Sequence, residues 1–151
     1  GLGTQLAPTA GAMGYGPPAA VAAALRRPDR TVVALAGDGD FMMNGQELAT
    51  AMQYGCNIIV IVVDNGVYGT IRMHQEGHYP GPDRVMATDL VNPDFVKYAE
   101  AFGAFGIRCE TTADFPAALK AARSAGRPAL VHLITSAEDI APGRTITGLR
   151  G

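Results

Sequence analysis

Two polar side chains follow two apolar segments of strand length, and their oxygen atoms are suited to hold a metal ion. Asp38 follows segment 31–36 and is flanked by glycines, and Asn65 follows segment 57–63. Carboxylate and amide oxygens are hard ligands of the kind that Mg²⁺ takes, often together with phosphate oxygens. Each motif alone is an ordinary turn signal. Two of them, one strand–helix–strand unit apart, favour a site for a metal-bound phosphate group.

This site requires the two strands to lie side by side in a sheet. Segments 31–36, 57–63 and 129–134 are apolar runs without alternation, and helical patterns separate them. Such strands are typical of a parallel sheet that is covered on both faces. The sequence therefore predicts an α/β fold, doubly wound, with a mostly parallel sheet between two helical layers. Ligands bind beyond the carboxyl ends of the strands in such folds.

The remaining elements follow from turn residues and helical spacing. Pro17 and Pro18 begin a helix that ends near Arg27, and a second helix is predicted over 45–55 with Gly55 as its cap. We expect a long loop at 68–90, with one helical turn after Tyr68. The later predictions are a helix capped by Asn92-Pro93, a short strand at 107–110, a helix at 113–125 and an irregular tail beyond Ser136.

Composition places the chain among ordinary globular domains. Its 151 residues are 48% hydrophobic and 17% charged, with a formal charge of −2. At this length a fold buries roughly 68–70% of its unfolded surface, so one domain with its own core is expected. The absence of a basic patch argues against binding to nucleic acid or a membrane surface. Neither a signal peptide nor a spanning segment is recognisable, and Cys56 and Cys109 form no ligand motif, so we expect a reduced, cytoplasmic location.

A family resemblance rests on the longest of these motifs. The stretch GDGDFMMNGQELATAMQYGCNIIVIVVDNGVYGTIRMHQE, from Gly37 to Glu76, closely resembles the cofactor signature of thiamine-diphosphate-dependent enzymes, a Gly-Asp-Gly followed one strand–helix–strand unit later by Asn. The similarity extends to GAMGYGPPAA upstream and to NPDF, AEAFGAFG and GRPALVHL downstream. The chain is most similar to the C-terminal diphosphate-binding domain of the acetolactate-synthase-like subgroup.

The resemblance implies a Mg²⁺ ion and thiamine diphosphate as cofactors. It gives Asp38 and Asn65 as side-chain ligands of the metal, and Val67 as a ligand through its backbone carbonyl. The usual Asn-Asn pair of the family reads Asp64-Asn65 here, and Asp64 is not expected to be a ligand.

The resemblance also implies which residues contact the organic part of the cofactor. Gly11 matches the residue whose carbonyl accepts a hydrogen bond from the aminopyrimidine, and Met13 matches an apolar wedge that holds the bent cofactor. The positions expected at the diphosphate are Gly37, Gly39, Asp40 and Tyr68. A carboxylate at position 40 departs from the family pattern, and we expect it to cap the following helix rather than face the diphosphate.

The resemblance further implies an enzyme that acts on small 2-oxo acids as a lyase or transferase. No catalytic residue is expected in this chain, because the family's Glu lies on a pyrimidine-binding domain of a partner subunit, and Glu47 is interpreted as structural. We expect a homo-oligomer, an inactive chain when alone, and a domain 1–151 that is incomplete at its N-terminus, without its first strand and helix. Ile71 stands where simple decarboxylases of the family carry a Glu, which favours carboligation or another, unassigned reaction of a 2-oxo acid.

Several questions stay open at this stage. Arg72, His74, Gln75 and His78 contact either the substrate carboxylate or solvent, and His132 is interpreted as a core residue. The alternatives to the enzyme are a non-catalytic module that binds a diphosphate cofactor and, less favoured, a nucleotide-binding α/β domain. The nucleotide-binding alternative is less favoured because the sequence has no phosphate-binding GxxxxGK[ST] motif.

Overall fold

The structure, a computed structural model, describes residues 3–81, 83–141 and 143–150. Its centre is a parallel sheet of four strands in the order β1-β2-β4-β3. These strands are β1 (Val32–Gly37), β2 (Ile58–Asp64), β3 (Phe105–Cys109) and β4 (Ala129–Ile134). The helices are α1 (Gly16–Arg26), α2 (Asp38–Asn44), α3 (Glu47–Gln53), α4 (Gly69–His78), α5 (Phe95–Ala101), α6 (Phe115–Ser124) and α7 (Ile146–Arg150). An antiparallel pair, β5 (Asp139–Ala141) and β6 (Arg144–Thr145), precedes α7.

Two apolar clusters cover the two faces of the sheet. Strand β2 contributes to both, because its side chains alternate: Val60 packs in one cluster and Ile61 in the other. The first cluster includes Phe41, Leu48 and Phe95 from α2, α3 and α5. The second is formed with α6 and is centred on small residues such as Ala118. The predicted α/β class, with a mostly parallel sheet between helices, is confirmed.

Strand β1 is covered on one face only by the described residues. Ala34 and Ala36 are buried, whereas Val33 and Leu35 are 50% and 70% exposed. Its uninterrupted apolar run led us to expect burial on both faces, and that expectation is wrong. The strand lies at the edge of the sheet, and the two faces of an edge strand need not be equally covered.

The polar segments contain more regular structure than their composition predicts. The segment 68–90 was expected to be a loop, yet it contains the ten-residue helix α4. The predicted helix at 45–55 corresponds to α3. A separate helix that was not predicted, α2, precedes it, and α2 ends before Gly45. A Cβ atom at Gly45 would lie 2.7 Å from the ring of Phe41, so the close packing of that ring requires glycine here. The tail, expected to be irregular, forms β5, β6 and α7.

Candidate functional site

A cavity of about 370 Å³ opens at the carboxyl ends of β1 and β2. The two strands end together because their register pairs Gly37 with Val63. The residues that follow the strands therefore lie next to each other at one edge of the sheet. The lining residues are Met13, Gly37, Asp38, Gly39, Asp40, Val63, Asn65, Val67, Tyr68, Gly69, Thr70, Ile71, Met73 and Ile140. They include every metal-binding and cofactor-binding residue expected from the sequence except Gly11.

Asp38 is the buried carboxylate of this cavity, with 3% of its surface exposed. Its Oδ1 accepts a hydrogen bond from the N–H of Gly39 at 2.9 Å. Its Oδ2 accepts from the N–H of Gly66 at 2.9 Å and from Nδ2 of Asn92 at 2.7 Å. Burial raises the pKa of Asp38 above its ordinary value, and the neighbouring Asp64 adds to this shift, whereas the hydrogen bonds from Asn92 and Gly39 oppose it. A nearby cation would favour the ionised form.

Asp64, the last residue of β2, is bonded entirely within the protein. Its Oδ1 accepts from Asn92 Nδ2 at 2.8 Å and from Gly66 N at 3.0 Å, and its Oδ2 is 2.8 Å from Nε2 of His132. Burial alone would raise the pKa of Asp64, but the hydrogen bonds from His132 and Asn92 outweigh it and lower this pKa. Asp64 does not line the cavity. His132 is buried, as expected, but it also orients this carboxylate.

Asn92 was not expected in the site. We predicted it to cap α5, and this is wrong: Asp94 is the N-cap, and its Oδ1 accepts from the N–H groups of Val96 and Lys97, each at 3.1 Å. Asn92 instead donates to Asp38 and Asp64. The sequence contained one signal for this role. A helix needs a single N-cap, so with Asp94 in that position the amide of Asn92 is available for another partner.

The segment after β2 brings further oxygen atoms to the cavity. Asn65 Oδ1 accepts from Val67 N at 3.1 Å, which folds the segment into a tight turn. Backbone pairing with residues 88–90 holds it in place, since Tyr68 N donates to Thr88 O and Leu90 N donates to Gly66 O, each at 2.8 Å. The candidate donors are thus a carboxylate, an amide oxygen and a backbone carbonyl. Such a set suits Mg²⁺, which binds through few protein oxygens.

These donors do not form a site rich in acidic, histidine or cysteine ligands. Within the described ranges, no group of three or more His, Cys, Asp or Glu side chains is placed to hold a metal ion. Among the described residues, Asp38 Oδ1 accepts a hydrogen bond from Gly39 alone, so this oxygen keeps a lone pair for a cation. The residues present therefore fit a Mg²⁺ ion that completes its coordination with phosphate and water oxygens.

The side chain of Asp40 does not cap a helix, in contrast to our expectation. It lies within α2, and its Oδ1 accepts a hydrogen bond from Gly14 N at 2.5 Å. This hydrogen bond holds the glycine-rich loop, residues 11–15, in place. Met13 of this loop lines the cavity. Gly11 lies in the same loop with a φ of +64° but does not line the cavity.

Tyr68 packs closely against Gly39. A Cβ atom built on Gly39 would collide with the ring atoms Cε1 and Cδ1 of Tyr68 and would lie 3.3 Å from Leu90 Cδ1. Glycine at this position is therefore required by the aromatic ring as well as by any ligand. The pair forms one wall of the cavity.

The polar residues of α4 that the sequence left unassigned lie outside the cavity lining. Arg72 donates to Glu76 and Asp89, each at 3.1 Å, and Gln75 bonds the backbone of Met86. His78 Nδ1 lies 3.1 Å from the carbonyl of His74. Helix α4 instead contributes Gly69, Thr70, Ile71 and Met73 to the cavity. Ile71 thus forms part of an apolar wall.

Glu76 is the centre of a separate ion cluster beside the cavity. Its side chain is 1% exposed and binds Arg72, Arg84 and Arg150 at 2.7–3.1 Å. The hydrogen bonds from Arg150 lower the pKa of Glu76 to about 2, with Arg84 and Arg72 contributing and burial opposing the shift. The cluster attaches α7 to α4.

Among the described residues, no helix is both long and apolar enough to cross a membrane.

Comparison with known proteins identifies the family. Residues 3–133 match the family model of the thiamine pyrophosphate enzyme C-terminal TPP binding domain. Acetolactate synthase of Mycobacterium avium is 41% identical over 134 residues, which are 85% of this chain and 21% of that protein. The acetolactate synthase isozyme 2 large subunit of Escherichia coli K12 is 38% identical over 134 residues, covering 87% of this chain and 24% of the relative.

A solved structure supports the same assignment. The thiamine diphosphate-dependent 4-hydroxybenzoylformate decarboxylase of Rhodococcus jostii RHA1 superposes with a TM-score of 0.75 and 37% identity, over 85% of this chain and 24% of that one. This chain spans about a fifth to a quarter of the length of these relatives. The resemblance seen in the sequence is confirmed. The chain belongs to the thiamine pyrophosphate enzyme family and carries its C-terminal TPP-binding domain.

Proposed function

We propose that this chain binds thiamine diphosphate through Mg²⁺ as the cofactor-binding part of an acetolactate-synthase-like carboligase or decarboxylase of 2-oxo acids. The observation that carries the proposal is the convergence of Asp38, Asn65 and Val67 on one cavity at the ends of two parallel strands. In this proposal the carboxylate of Asp38, the amide oxygen of Asn65 and the carbonyl of Val67 bind the metal. The metal connects the protein to the diphosphate.

The cavity combines this polar end with an apolar wall. Met13 projects from the glycine-rich loop, and Ile71 and Met73 extend from α4. We assign Met13 to the support of the cofactor rings, because an unbranched, flexible side chain can fill the space inside a bent ligand. Gly37, Gly39, Asp40 and Tyr68 are assigned to the diphosphate, and Asp40 serves through its backbone because its carboxylate accepts from Gly14. Gly11, which is outside the cavity lining, keeps its proposed role through its backbone carbonyl alone.

Thiamine diphosphate, when bound, supplies the carbanion that attacks a 2-oxo acid and the electron sink for loss of CO₂. This chain's own residues bind the cofactor and exclude water from its apolar side. The carboxylate that activates the pyrimidine is assigned to a pyrimidine-binding domain, supplied by the same enzyme in a homo-oligomer. Glu76 cannot serve, because its carboxylate is occupied by three arginines. We therefore expect turnover only when that domain is added.

Calorimetry tests the binding proposal. We expect the chain to bind thiamine diphosphate with Mg²⁺ and to bind ATP or NAD far more weakly. Asp38→Asn keeps the size of the side chain and should abolish the Mg²⁺ dependence of binding. Preference for a nucleotide, or unchanged Mg²⁺ dependence in the variant, would contradict the proposal.

A matched pair of methionines tests the apolar wall. Met13→Ala should weaken cofactor binding at saturating Mg²⁺ by about tenfold, since it removes most of a large apolar contact. Met86→Ala is the control, because Met86 is 70% exposed and lies outside the cavity lining. Equal affinities in the two variants would remove Met13 from the site.

The type of reaction is tested separately. When the pyrimidine-binding domain is supplied, we expect 2-oxo acids to be decarboxylated and joined to a second carbonyl compound. Release of the free aldehyde as the main product would favour the simple decarboxylase, and binding without turnover would favour the non-catalytic module.

A further inference from the structure

Asn92 lies between the carboxylates of Asp38, which follows β1, and Asp64, which ends β2. Its Nδ2 is 2.7 Å from Asp38 Oδ2 and 2.8 Å from Asp64 Oδ1. A primary amide nitrogen carries two protons, so each carboxylate receives one of them. The N–H of Gly66 faces the same two oxygens, at 2.9 and 3.0 Å. Two donors therefore lie between two carboxylates, of which Asp38 is buried and Asp64 is partly buried.

This arrangement determines which oxygen remains available to the cavity. Within the part of the chain that the structure describes, Asp38 Oδ2 receives two donors, whereas Asp38 Oδ1 receives only the N–H of Gly39. Asp64 has two donors on Oδ1 and His132 against Oδ2. The two carboxylates thus differ in their use. Both carboxylate oxygens of Asp64 contact groups of the protein, whereas Asp38 Oδ1 can accept a further partner.

We propose that Asn92 is a positioning residue of the Mg²⁺ site: its amide holds the Asp38 carboxylate in the orientation that binds the metal and separates it from Asp64. This inference rests on the proposed function. Asn92 donates through Nδ2 to both carboxylates and does not line the cavity, so we assign it no role as a ligand. Groups that orient the ligands of a metal commonly change its affinity about 10- to 100-fold when they are removed.

A purely structural role at the start of α5 is the competing explanation. The N-cap of that helix is Asp94, whose carboxylate bonds the first turn without help from Asn92. Removal of Asp94 therefore damages the same helix while leaving the two carboxylates bridged. The variants Asn92→Ala and Asp94→Ala form a matched pair, two residues apart, that separates metal positioning from helix stability.

The experiment measures Mg²⁺ affinity by calorimetry in the presence of thiamine diphosphate, and thermal unfolding of the metal-free variants. We expect Asn92→Ala to weaken Mg²⁺ binding by about 10- to 100-fold. Asp94→Ala should lower the unfolding temperature and change Mg²⁺ affinity less than about twofold. Affinity within about twofold of the wild type for Asn92→Ala overturns the inference. Failure of the wild type to bind the cofactor would overturn the proposed function as well.

A second background tests whether Asn92 acts by separating the two charges. Asp64→Asn restores the Asn-Asn pair typical of the family and removes one of the two adjacent charges. In that background, Asn92→Ala should weaken Mg²⁺ binding by a smaller factor than in the wild type, because one charge no longer needs separation. Equal factors in both backgrounds would show that Asn92 does not separate the charges.

Discussion

Asp40 Oδ1 accepts a hydrogen bond from the backbone N–H of Gly14 at 2.5 Å, which joins helix α2 to the glycine-rich loop. One turn further along α2, Asn44 Nδ2 donates to the carbonyl of the same glycine at 3.0 Å. Residues four apart lie on one face of a helix, so the two side chains hold both backbone groups of Gly14. The φ of Gly14 is +82°, and a Cβ there would lie 2.7 Å from Asn44 Nδ2. The position of Met13 is thereby tied to α2.

We predict that Asp40→Ala loosens the glycine-rich loop in the cofactor-free protein. The hydrogen bond to a charged acceptor is among the stronger ones, so its loss should speed amide exchange at Gly14 by about tenfold or more. Nuclear magnetic resonance measures this rate residue by residue. Asp29→Ala, which removes only an exposed pair with Arg27, is the control and should leave the rate unchanged. Equal exchange rates at Gly14 in the two variants would show that Asp40 does not hold the loop.

Glu76→Gln should destabilise the protein strongly at neutral pH. The buried carboxylate faces three arginines, and breaking a buried ion pair costs about 3–5 kcal/mol; the partial exposure of the arginines favours the lower end. Urea denaturation at pH 7 measures the loss. Glu110→Gln is the control, because its pair with Arg108 is exposed and should contribute little.

The same cluster predicts a pH dependence. The pKa of Glu76 is lowered in the folded state to about 2, from an ordinary value of 4.5. A lowered carboxyl pKa stabilises the fold above the unfolded value, and this contribution is lost as pH falls. The stability difference between the wild type and Glu76→Gln should therefore narrow as pH falls from about 4.5 towards 2. A constant difference across that range would exclude ionisation as its source.

Gly39→Ala should distort the cavity wall. The new methyl group would collide with the Tyr68 ring, and overpacking of this kind costs about 1–3 kcal/mol. Thermal unfolding measures the cost. Tyr68→Ala should relieve it, so the double variant should be more stable than the sum of the single effects predicts. Additive effects would show that the collision is avoided in another way.

Gly77→Ala provides the matched glycine. A Cβ at Gly77 in α4 would meet no atom within 4 Å. Alanine is a better helix former than glycine by about 1 kcal/mol, so this variant should be as stable as the wild type or more stable.

Asp94→Ala should shorten α5 at its N-terminus. Loss of the two hydrogen bonds to Val96 N and Lys97 N should lower the unfolding temperature by about 2–4 °C in a chain of this length. Lys97→Ala, which removes an exposed contact with the same carboxylate at 3.5 Å but leaves the cap, should have a smaller effect. A larger effect for Lys97→Ala would show that charge pairing outweighs capping.

The sheet could be predicted because its strands carry a strong local signal. The runs 57–63 and 129–134 match β2 and β4 to within one residue, since uninterrupted apolar residues of strand length have few other uses. Helices with proline in the first turn, α1 and α6, were also predicted. The position of Asp38 beside Asn65 followed from the parallel arrangement of the strands.

Features that depend on distant contacts could not be predicted. Helix α4 has a polar sequence, and it is held by the ion cluster around Glu76, whose partner Arg150 lies 74 residues away in the chain. The tail forms structure for the same reason. Asn92 was assigned to a helix cap because Asn-Pro is a local signal, whereas its partners lie 28 and 54 residues earlier. Local preferences do not contain this information.

The pairing of Gly37 with Val63 limits where residues can be inserted into or deleted from the chain. Asp38 directly follows β1 and Asp64 is the last residue of β2, so the distance between the two carboxylates depends on the length of both strands. A one-residue deletion within either strand would turn the following side chains to the opposite face and shift one carboxylate by about 3.3 Å. Natural variation in length should therefore be absent from β1 and β2.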